Sequence, residues 1–205
     1  MSPGNTMMRV YATLKTRIRE GEFAPGSRLD PAQLRRDLAS STTPIRDALH
    51  RLAGEGLIET WQNEGFRAPQ ISEPAIRDFY EWSNELVHVV IRAAARRQDP
   101  PLKPRSRGED YAASVTEAFL QLAALSANHE HRRVVANLCD RGMILWRTEP
   151  HVLSEAVADL GVIEQAVDEA DWTEAGRAID LFHRRRLRAV SQIAASLRDR
   201  SAFGF

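Results

Sequence analysis

Residues 41–52, with the sequence STTPIRDALHRL, begin with polar side chains and continue with apolar ones at intervals of three and four. This spacing predicts an amphipathic helix, because it places on one face the apolar side chains of Ile45, Ala48, Leu49 and Leu52. Arg46 and His50 lie on its opposite face, and Gly54 and Gly56 predict its end.

Two more helices are predicted before this one. Apolar residues follow a helical spacing from Met7 to Ile18, and Gly21 then favours a helix end. Asp30 and Pro31 provide an N-cap and a first helical residue for a short second helix. That helix ends before the polar break at residues 40–42.

A β-hairpin is predicted after the third helix. Residues 57–61 and 66–69 are two short segments of strand-forming character, and Asn63 and Gly65 lie between them, as is typical of a tight turn. A helix, a short helix, a break, a third helix and a hairpin together predict a winged helix-turn-helix.

The rest of the chain is predicted to be helical. Ser72 and Pro74 are typical of a helix start, and the periodicity then continues to Arg97. Residues 98–108 contain three prolines and a glycine and predict a loop. Four further helices are expected at about 110–128, 130–147, 151–169 and 172–197. The fold class is thus mainly α, with a winged domain at residues 1–71 and a helical bundle at residues 72–205.

Composition excludes several classes of protein. The 205 residues are 43% hydrophobic and 27% charged, which is ordinary for a globular protein. The longest run without a charged residue is the 12 residues 118–129, which is too short to span a membrane, and no signal peptide is recognisable. We therefore expect a cytoplasmic protein without a membrane partner. A single cysteine, Cys139, excludes an internal disulfide and a multi-cysteine zinc module.

The charge distribution favours a nucleic-acid partner at the N-terminal end. Overall, 28 basic residues balance 28 acidic ones, so such a partner needs a local basic patch. Residues 1–51 provide one, with nine Lys and Arg against five Asp and Glu.

The helix-turn-helix predicts which residues meet DNA. The second helix of this motif places its N-terminal residues against base edges, while the first crosses the phosphate backbone. An arginine there can pair with guanine or a phosphate, and hydroxyls suit either partner. The predicted DNA-contacting residues are Arg35, Arg36, Ser41, Thr42, Thr43, Arg46, His50, Gly65 and Arg67. The alternative is structural: the arginines form a solvated face and the hydroxyls merely cap a helix.

Residues 11–70 resemble the DNA-binding domain of the GntR family of bacterial transcription regulators. The resemblance rests on the Pro25-Gly26 turn, on the run Thr43-Pro44-Ile45-Arg46-Asp47-Ala48-Leu49 and on Glu55-Gly56-Leu57-Ile58. It implies a regulator that binds a double-stranded DNA operator. Family members usually carry a base-reading arginine at the position of Thr42, so this chain is expected to prefer a different operator sequence.

The helical half is similar to the FadR-type effector domain of the same family. This resemblance implies a bundle that dimerises and binds small, usually carboxylated metabolites. Many such domains hold a divalent metal, and the four ligand positions correspond to Thr116, Leu120, Leu160 and His183. Because only His183 can ligate a metal, we expect no metal and no other cofactor.

The same resemblance places the effector. Two of the family's effector-contacting positions correspond to Ser83 and Val87, so the expected pocket is lined by Ser83, Val87, Leu120, Leu160 and His183. Its ligand would be less polar than is usual in the family. The alternative is that the aliphatic residues close the cavity as part of the core and leave no ligand site.

Two carboxylate–histidine pairs suggest a competing, enzymatic interpretation. Glu85 with His88 and Asp180 with His183 have the spacing found in helical dimetal enzymes. Such a site needs further inward carboxylates, for which Glu117 is the one candidate. The chain is therefore not expected to be an enzyme, and no catalytic residue is assigned.

Two other polar clusters are interpreted structurally. His129 and His131 beside Glu130 predict a polar helix start rather than a metal site. The arginines at 184–186, together with Arg188, are interpreted as a solvated or dimer-facing stripe, with contact to an acidic effector or to DNA phosphates as the alternative.

These patterns together predict a homodimeric transcription regulator. The family resemblance favours repression that a ligand relieves. A ligand-independent dimeric DNA-binding protein, whose bundle serves only dimerisation, is the second hypothesis.

Overall fold

The structure, a computed structural model, describes residues 3–61, 65–96 and 110–202. The chain divides into two compact units, one holding the residues up to Ile71 and the other Ser72–Asp199. Helices dominate both units, and the predicted mainly α fold class is confirmed. No helix in the described ranges is long and apolar enough to cross a membrane.

The described part of the first unit consists of three helices and a small sheet. Helix α1 spans Pro3–Glu20, α2 spans Pro31–Asp37 and α3 spans Thr42–Gly54. The antiparallel strands are β1 (Arg28–Leu29), β2 (Glu59–Trp61) and β3 (Gly65–Arg67), in the order β1-β3-β2. The predicted helix-turn-helix and its hairpin wing are thus confirmed.

Strand β1 is an addition to the predicted hairpin. Two residues are too few to show an alternating pattern, so the sequence did not reveal it. Backbone hydrogen bonds of 3.0 and 2.9 Å join residues 26–27 to Ala68 and hold the chain alongside β3. Arg28 consequently lies directly opposite Arg67.

Helices α1 and α3 share the apolar core of the first unit. Six of its side chains have no exposed surface: Val10, Leu14, Ile45, Ala48, Leu49 and Leu52. At the edge of this core, the hydroxyl of Tyr11 donates to the carboxylate of Glu55 at 2.7 Å, and Lys15 Nζ donates to the same carboxylate at 3.0 Å. These contacts fix the C-terminal end of α3 against α1.

The second unit is a helical bundle. Its described elements are α4 (Glu73–Ala95), α5 (Tyr111–Ala124), α6 (His129–Thr148), a 3-10 turn (Glu149–His151), α7 (Ala156–Asp168), α8 (Trp172–Arg188) and α9 (Val190–Ala202). Helix α8 packs against α4 and α7, and α5 packs against α6. Gly142 is needed where α6 meets α4, because a Cβ there would lie 2.9 Å from the ring of Phe79.

The bundle differs from the prediction in its helix count and boundaries. The helix expected over 172–197 is divided at Ala189, so the described bundle has six helices rather than five. Neither glycine nor proline lies near the break to mark it in the sequence. The predicted 98–108 loop falls outside the described residues, whereas Ser72 caps α4 as predicted, accepting a hydrogen bond from Ala75 N at 3.3 Å.

Candidate nucleic-acid interface and buried polar site

The N-terminal end of α3 carries three hydroxyl side chains, those of Ser41, Thr42 and Thr43. Ser41 occupies the N-cap position, yet its side chain makes no hydrogen bond to the first turn of the helix. Ser41 and Thr43 are exposed and Thr42 is half-buried. Ser41 therefore does not have the capping role that the structural alternative assigned to it.

Arg46 and His50 continue this exposed surface along α3. Both side chains are exposed, while Ile45 and Leu49 face the core. The ring of His50 also meets the ring of Phe66 edge to face, with centroids 4.8 Å apart. His50 thus couples α3 to strand β3 of the wing.

The second helix adds two cations. Arg35 and Arg36 are exposed on α2, whose buried side is formed by Leu34 and Leu38. Within the described residues, no carboxylate forms an ion pair with Arg35, Arg36 or Arg46. In the described part of the chain, all three exposed cations are therefore available to a polyanion.

The wing contributes the last two predicted residues. Gly65 is exposed and has a φ of +86°, a left-handed conformation that glycine adopts without strain. Arg67 is half-buried, and its guanidinium lies over the ring of Trp61, 5.0 Å from the centroid. A polyanion can therefore be met both from α3 and from the wing.

A second cluster lies in the interior of the bundle, where α4 meets α8. Ser83 Oγ and His183 Nε2 are 2.9 Å apart, and both side chains are 1% exposed. His183 Nδ1 lies 2.9 Å from the carbonyl oxygen of Ile179, which can only accept. Nδ1 therefore carries the proton, and Ser83 donates its hydroxyl hydrogen to Nε2. Burial lowers the pKa of His183 to about 3, so the ring is neutral at physiological pH.

The remaining expected pocket residues differ in burial. Val87 on α4 and Leu160 on α7 are buried, while Leu120 on α5 is half-buried. Phe119, the neighbour of Leu120, stacks on the His183 ring with centroids 6.4 Å apart. The structure thus brings Ser83 and His183 into direct contact within apolar surroundings.

Of the four metal positions inferred from the family, only His183 carries a side chain of a metal-ligand type. Thr116 uses its hydroxyl to donate to the Ala112 carbonyl at 2.9 Å. Among the residues that the structure describes, no group of three or more His, Cys, Asp or Glu is placed to hold a metal ion.

The two carboxylate–histidine pairs noted in the sequence do not pair as their spacing suggested. A residue of one contacts a residue of the other. His88 Nε2 lies 2.8 Å from Asp180 Oδ1, so this pair links α4 to α8, whereas Glu85 is exposed. Partial burial acts to raise the pKa of Asp180, but hydrogen bonds from His88 and Asn84 outweigh it and lower the pKa.

His129 and His131 lie at the polar start of α6, as predicted. Asn128 caps this helix by accepting a hydrogen bond from Glu130 N at 3.0 Å. His131 Nδ1 lies 2.8 Å from Ser126 Oγ, and His129 is exposed.

Sequence reasoning missed a buried ionic network centred on Arg186. Its side chain is fully buried, with Nε donating to Glu149 at 3.0 Å and Nη1 to Asp159 at 2.8 Å. The solvated-stripe interpretation is therefore wrong for Arg186. Arg186 follows Phe182 by four residues and His183 by three, so it lies on the same inward face of the helix. That spacing could have revealed the orientation of Arg186.

Two tyrosines complete this network. Tyr80 on α4 and Tyr111 on α5 each donate to the Glu149 carboxylate at 2.8 Å. Burial, followed by the charge of Glu149, raises the pKa of both phenols. The network around Arg186 thus joins α4, α5, α7 and α8 to the turn after α6. Arg184, on the same helix as Arg186, remains exposed.

The first unit has the architecture of a winged helix-turn-helix domain, a class that binds DNA. Residues 6–67 match the family described as "Bacterial regulatory proteins, gntR family". The N-terminal winged domain of this chain is therefore similar to the helix-turn-helix domains of that family, as the resemblance implied.

Curated relatives agree with this assignment. The chain is 31% identical over 132 residues to the Nta operon transcriptional regulator of Aminobacter aminovorans, an alignment that covers 58% of this chain and 63% of the relative. It is 27% identical over 92 residues to the HTH-type transcriptional repressor GlaR of Escherichia coli, which covers 45% and 42% respectively. The chain thus spans less than two thirds of these relatives. They are regulators rather than enzymes, in agreement with the sequence-based expectation.

Solved structures share the fold over almost the whole chain. E. coli McbR/YncC superposes with a TM-score of 0.66 at 15% identity, covering 94% of this chain and 98% of that one. A structural-genomics crystal structure from Rhodococcus sp. RHA1, whose description carries the name GntR, gives a TM-score of 0.71 at 19% identity and covers 92% and 97%. The helical second unit therefore belongs to the same shared fold.

Proposed function

We propose that this protein is a homodimeric transcriptional repressor whose operator affinity is modulated by a small molecule bound in the helical bundle. The winged domain is assigned to residues 1–71, and the FadR-type effector and dimerisation domain to residues 72–205. The protein acts in the cytoplasm, where it meets double-stranded operator DNA.

One observation carries the DNA-binding part. The start of α3 presents the unbonded hydroxyl of Ser41 together with Thr43 and Arg46, and all three side chains are exposed. A recognition helix needs this arrangement, because base edges are read by short hydroxyls and by arginines near the helix N-terminus. Arg35 and Arg36 on α2 suit the flanking phosphates.

Direct comparison of two arginine variants tests this part. Arg46→Ala should weaken binding to the DNA upstream of the protein's own gene by about tenfold or more, because it removes one bidentate base or phosphate contact. Arg92→Ala, an exposed arginine on α4, is the matched control and should bind like the wild type. Equal affinities of both variants in fluorescence anisotropy would contradict the placement of the recognition helix.

Dimerisation is supported by apolar side chains on the surface of the bundle. Val157 and Val162 on α7 and Leu181 on α8 are exposed. Two copies of the chain would place two recognition helices on half-sites related by the dimer axis. Sedimentation at increasing protein concentration should show a dimer, and a monomer at micromolar concentration would contradict this part of the proposal.

The effector is proposed to bind beside Ser83 and His183. Both polar groups satisfy each other, and Val87 and Leu160 are aliphatic, so the ligand should be neutral and weakly polar. Binding would shift operator affinity only through a difference in affinity for the two arrangements of the dimer. The expected result is that one member of a panel of neutral metabolites raises the melting temperature and releases DNA.

The same contact favours a second candidate, a ligand-independent regulator. Ser83 and His183 already form a closed hydrogen-bonded pair, as expected of a core without a ligand. This candidate predicts specific DNA binding and dimerisation, with no melting shift for any member of the panel.

A further inference from the structure

The wing carries an exposed tryptophan that the proposed function has not yet used. Trp61 is 46% exposed and is the single aromatic among the large hydrophobic side chains left exposed in the described residues. Exposed indole rings are uncommon on a surface that meets only water, because their apolar area favours burial. Trp61 lies beside the tip of the wing.

Strand register places Trp61 among charged residues. Trp61 pairs with Gly65, and Glu59 pairs with Arg67, so these four positions share one face of the sheet. Arg28 pairs with Arg67 on the other side of β3 and extends the same face. An exposed aromatic ring and two arginines therefore share this face.

Contacts orient the ring and its neighbour. The Arg67 guanidinium lies over the indole at 5.0 Å, and Trp61 Nε1 donates to Glu59 at 3.3 Å. Stacking engages the flat face of a guanidinium, so N–H groups in its plane can still donate hydrogen bonds. That geometry suits a phosphate, which accepts hydrogen bonds from arginine side-on.

A purely structural role would be to cover Gly65, since aromatic side chains can shield a glycine on the neighbouring strand. Shielding alone does not require a stacked arginine on the ring. The combination of an exposed indole, Arg67 and Arg28 is instead typical of a surface that meets a nucleic-acid backbone.

We infer that Trp61 is a DNA-contacting residue, whose ring packs against the sugar–phosphate backbone beside the wing tip and positions the Arg67 guanidinium on a phosphate. This inference rests on the proposed DNA-binding function. It adds an apolar contact and a positioning role to the polar contacts expected from α3.

Variants in labelled-DNA anisotropy test the positioning role. Trp61→Ala should weaken binding by about two- to fivefold, the range expected for an exposed cation–π contact. Trp61→Phe should restore most of this loss, and Thr60→Ala, on the same strand, is the matched control. In an Arg67→Ala background the effect of Trp61→Ala should shrink, because the two residues act as one unit. Full additivity of the two substitutions would overturn the positioning role.

Fluorescence tests the contact itself. In the Trp82→Phe/Trp172→Phe variant, the remaining tryptophans are exposed Trp61 and buried Trp146. Saturating DNA from upstream of the gene should lower acrylamide quenching of the exposed tryptophan. Unchanged quenching with a complex visible by anisotropy would overturn the inference alone. Flat anisotropy with the wild type would overturn the proposed function and this inference together.

Discussion

Ser83 and His183 lie 100 residues apart in the sequence, yet their side chains are hydrogen-bonded at 2.9 Å inside the bundle. Nε2 of the histidine accepts this hydrogen bond with its lone pair. A metal ion would need the same lone pair, because Nδ1 carries the proton. In the family resemblance, His183 corresponds to a metal-ligand position. In this chain the same atom instead joins α4 to α8.

Acid should destabilise the protein through His183. Its pKa is lowered to about 3 by burial, whereas an unfolded histidine has a pKa of about 6.5. The unfolded chain therefore binds the extra proton, so stability is complete above the unfolded pKa and is lost as the pH falls below it. Between about pH 7.5 and about pH 5.5, the free energy of unfolding in urea should fall by about 1.4 kcal/mol from this group.

His183→Gln is the matched control for that experiment. Its amide group reaches the position of Nε2, so it can still hydrogen-bond with Ser83 but cannot titrate, and this part of the pH dependence should disappear. The same pH dependence in wild type and variant would show that His183 is not the neutral, buried group described above.

Loss of the buried arginine should be severe. Arg186→Met leaves Glu149 and Asp159 without their shared cation, and breaking a buried ion pair typically costs about 3–5 kcal/mol. Arg184→Met, on the exposed side of the same helix, should change the free energy of unfolding by less than about 0.5 kcal/mol. Similar denaturation midpoints for the two variants would contradict the network.

Helix α7 ends in a strained residue. Asp171 N donates to the Ala166 carbonyl at 2.9 Å and Ala170 N to the Val167 carbonyl at 3.1 Å, a Schellman motif. Its left-handed position is held by Ala170, with a φ of +54°. Because the Cβ of an L-residue is disfavoured there, Ala170→Gly should stabilise the protein by about 0.5–1 kcal/mol.

At the corresponding position after α3, the reverse substitution should change the stability in the opposite direction. Gly56 has a φ of +72°. Gly56→Ala should therefore lower the free energy of unfolding by about 1 kcal/mol. A destabilised Ala170→Gly variant in thermal melts would show that the strain at Ala170 is compensated by its side-chain contacts.

Local patterns predicted most of the fold. Asp30 and Ser72 cap the helices that they were expected to start. The first N–H groups of a helix have no backbone acceptor, so a nearby side-chain oxygen readily accepts a hydrogen bond from them. Strand β1 and the break at Ala189 escaped prediction. The first depends on pairing with Arg67, which is distant in sequence, and the second has no glycine or proline to mark it.

The candidate sites were less accessible to sequence reasoning. The exposure of Arg46 follows directly from helical spacing, because Ile45 and Leu49 must face inward. Helical spacing indicates that Arg186 points inward, but its acceptors, Glu149 and Asp159, could not be identified from the sequence. Such partners come together only once the bundle has formed.

Selection of binding sequences from a pool of random DNA duplexes tests the central claim, that α3 reads DNA sequence. The wild type should enrich a two-fold symmetric sequence, and affinity for it should fall steeply with salt. Arg46→Ala should fail to enrich the same half-sites. A pool that remains random after selection with the wild type would contradict the account.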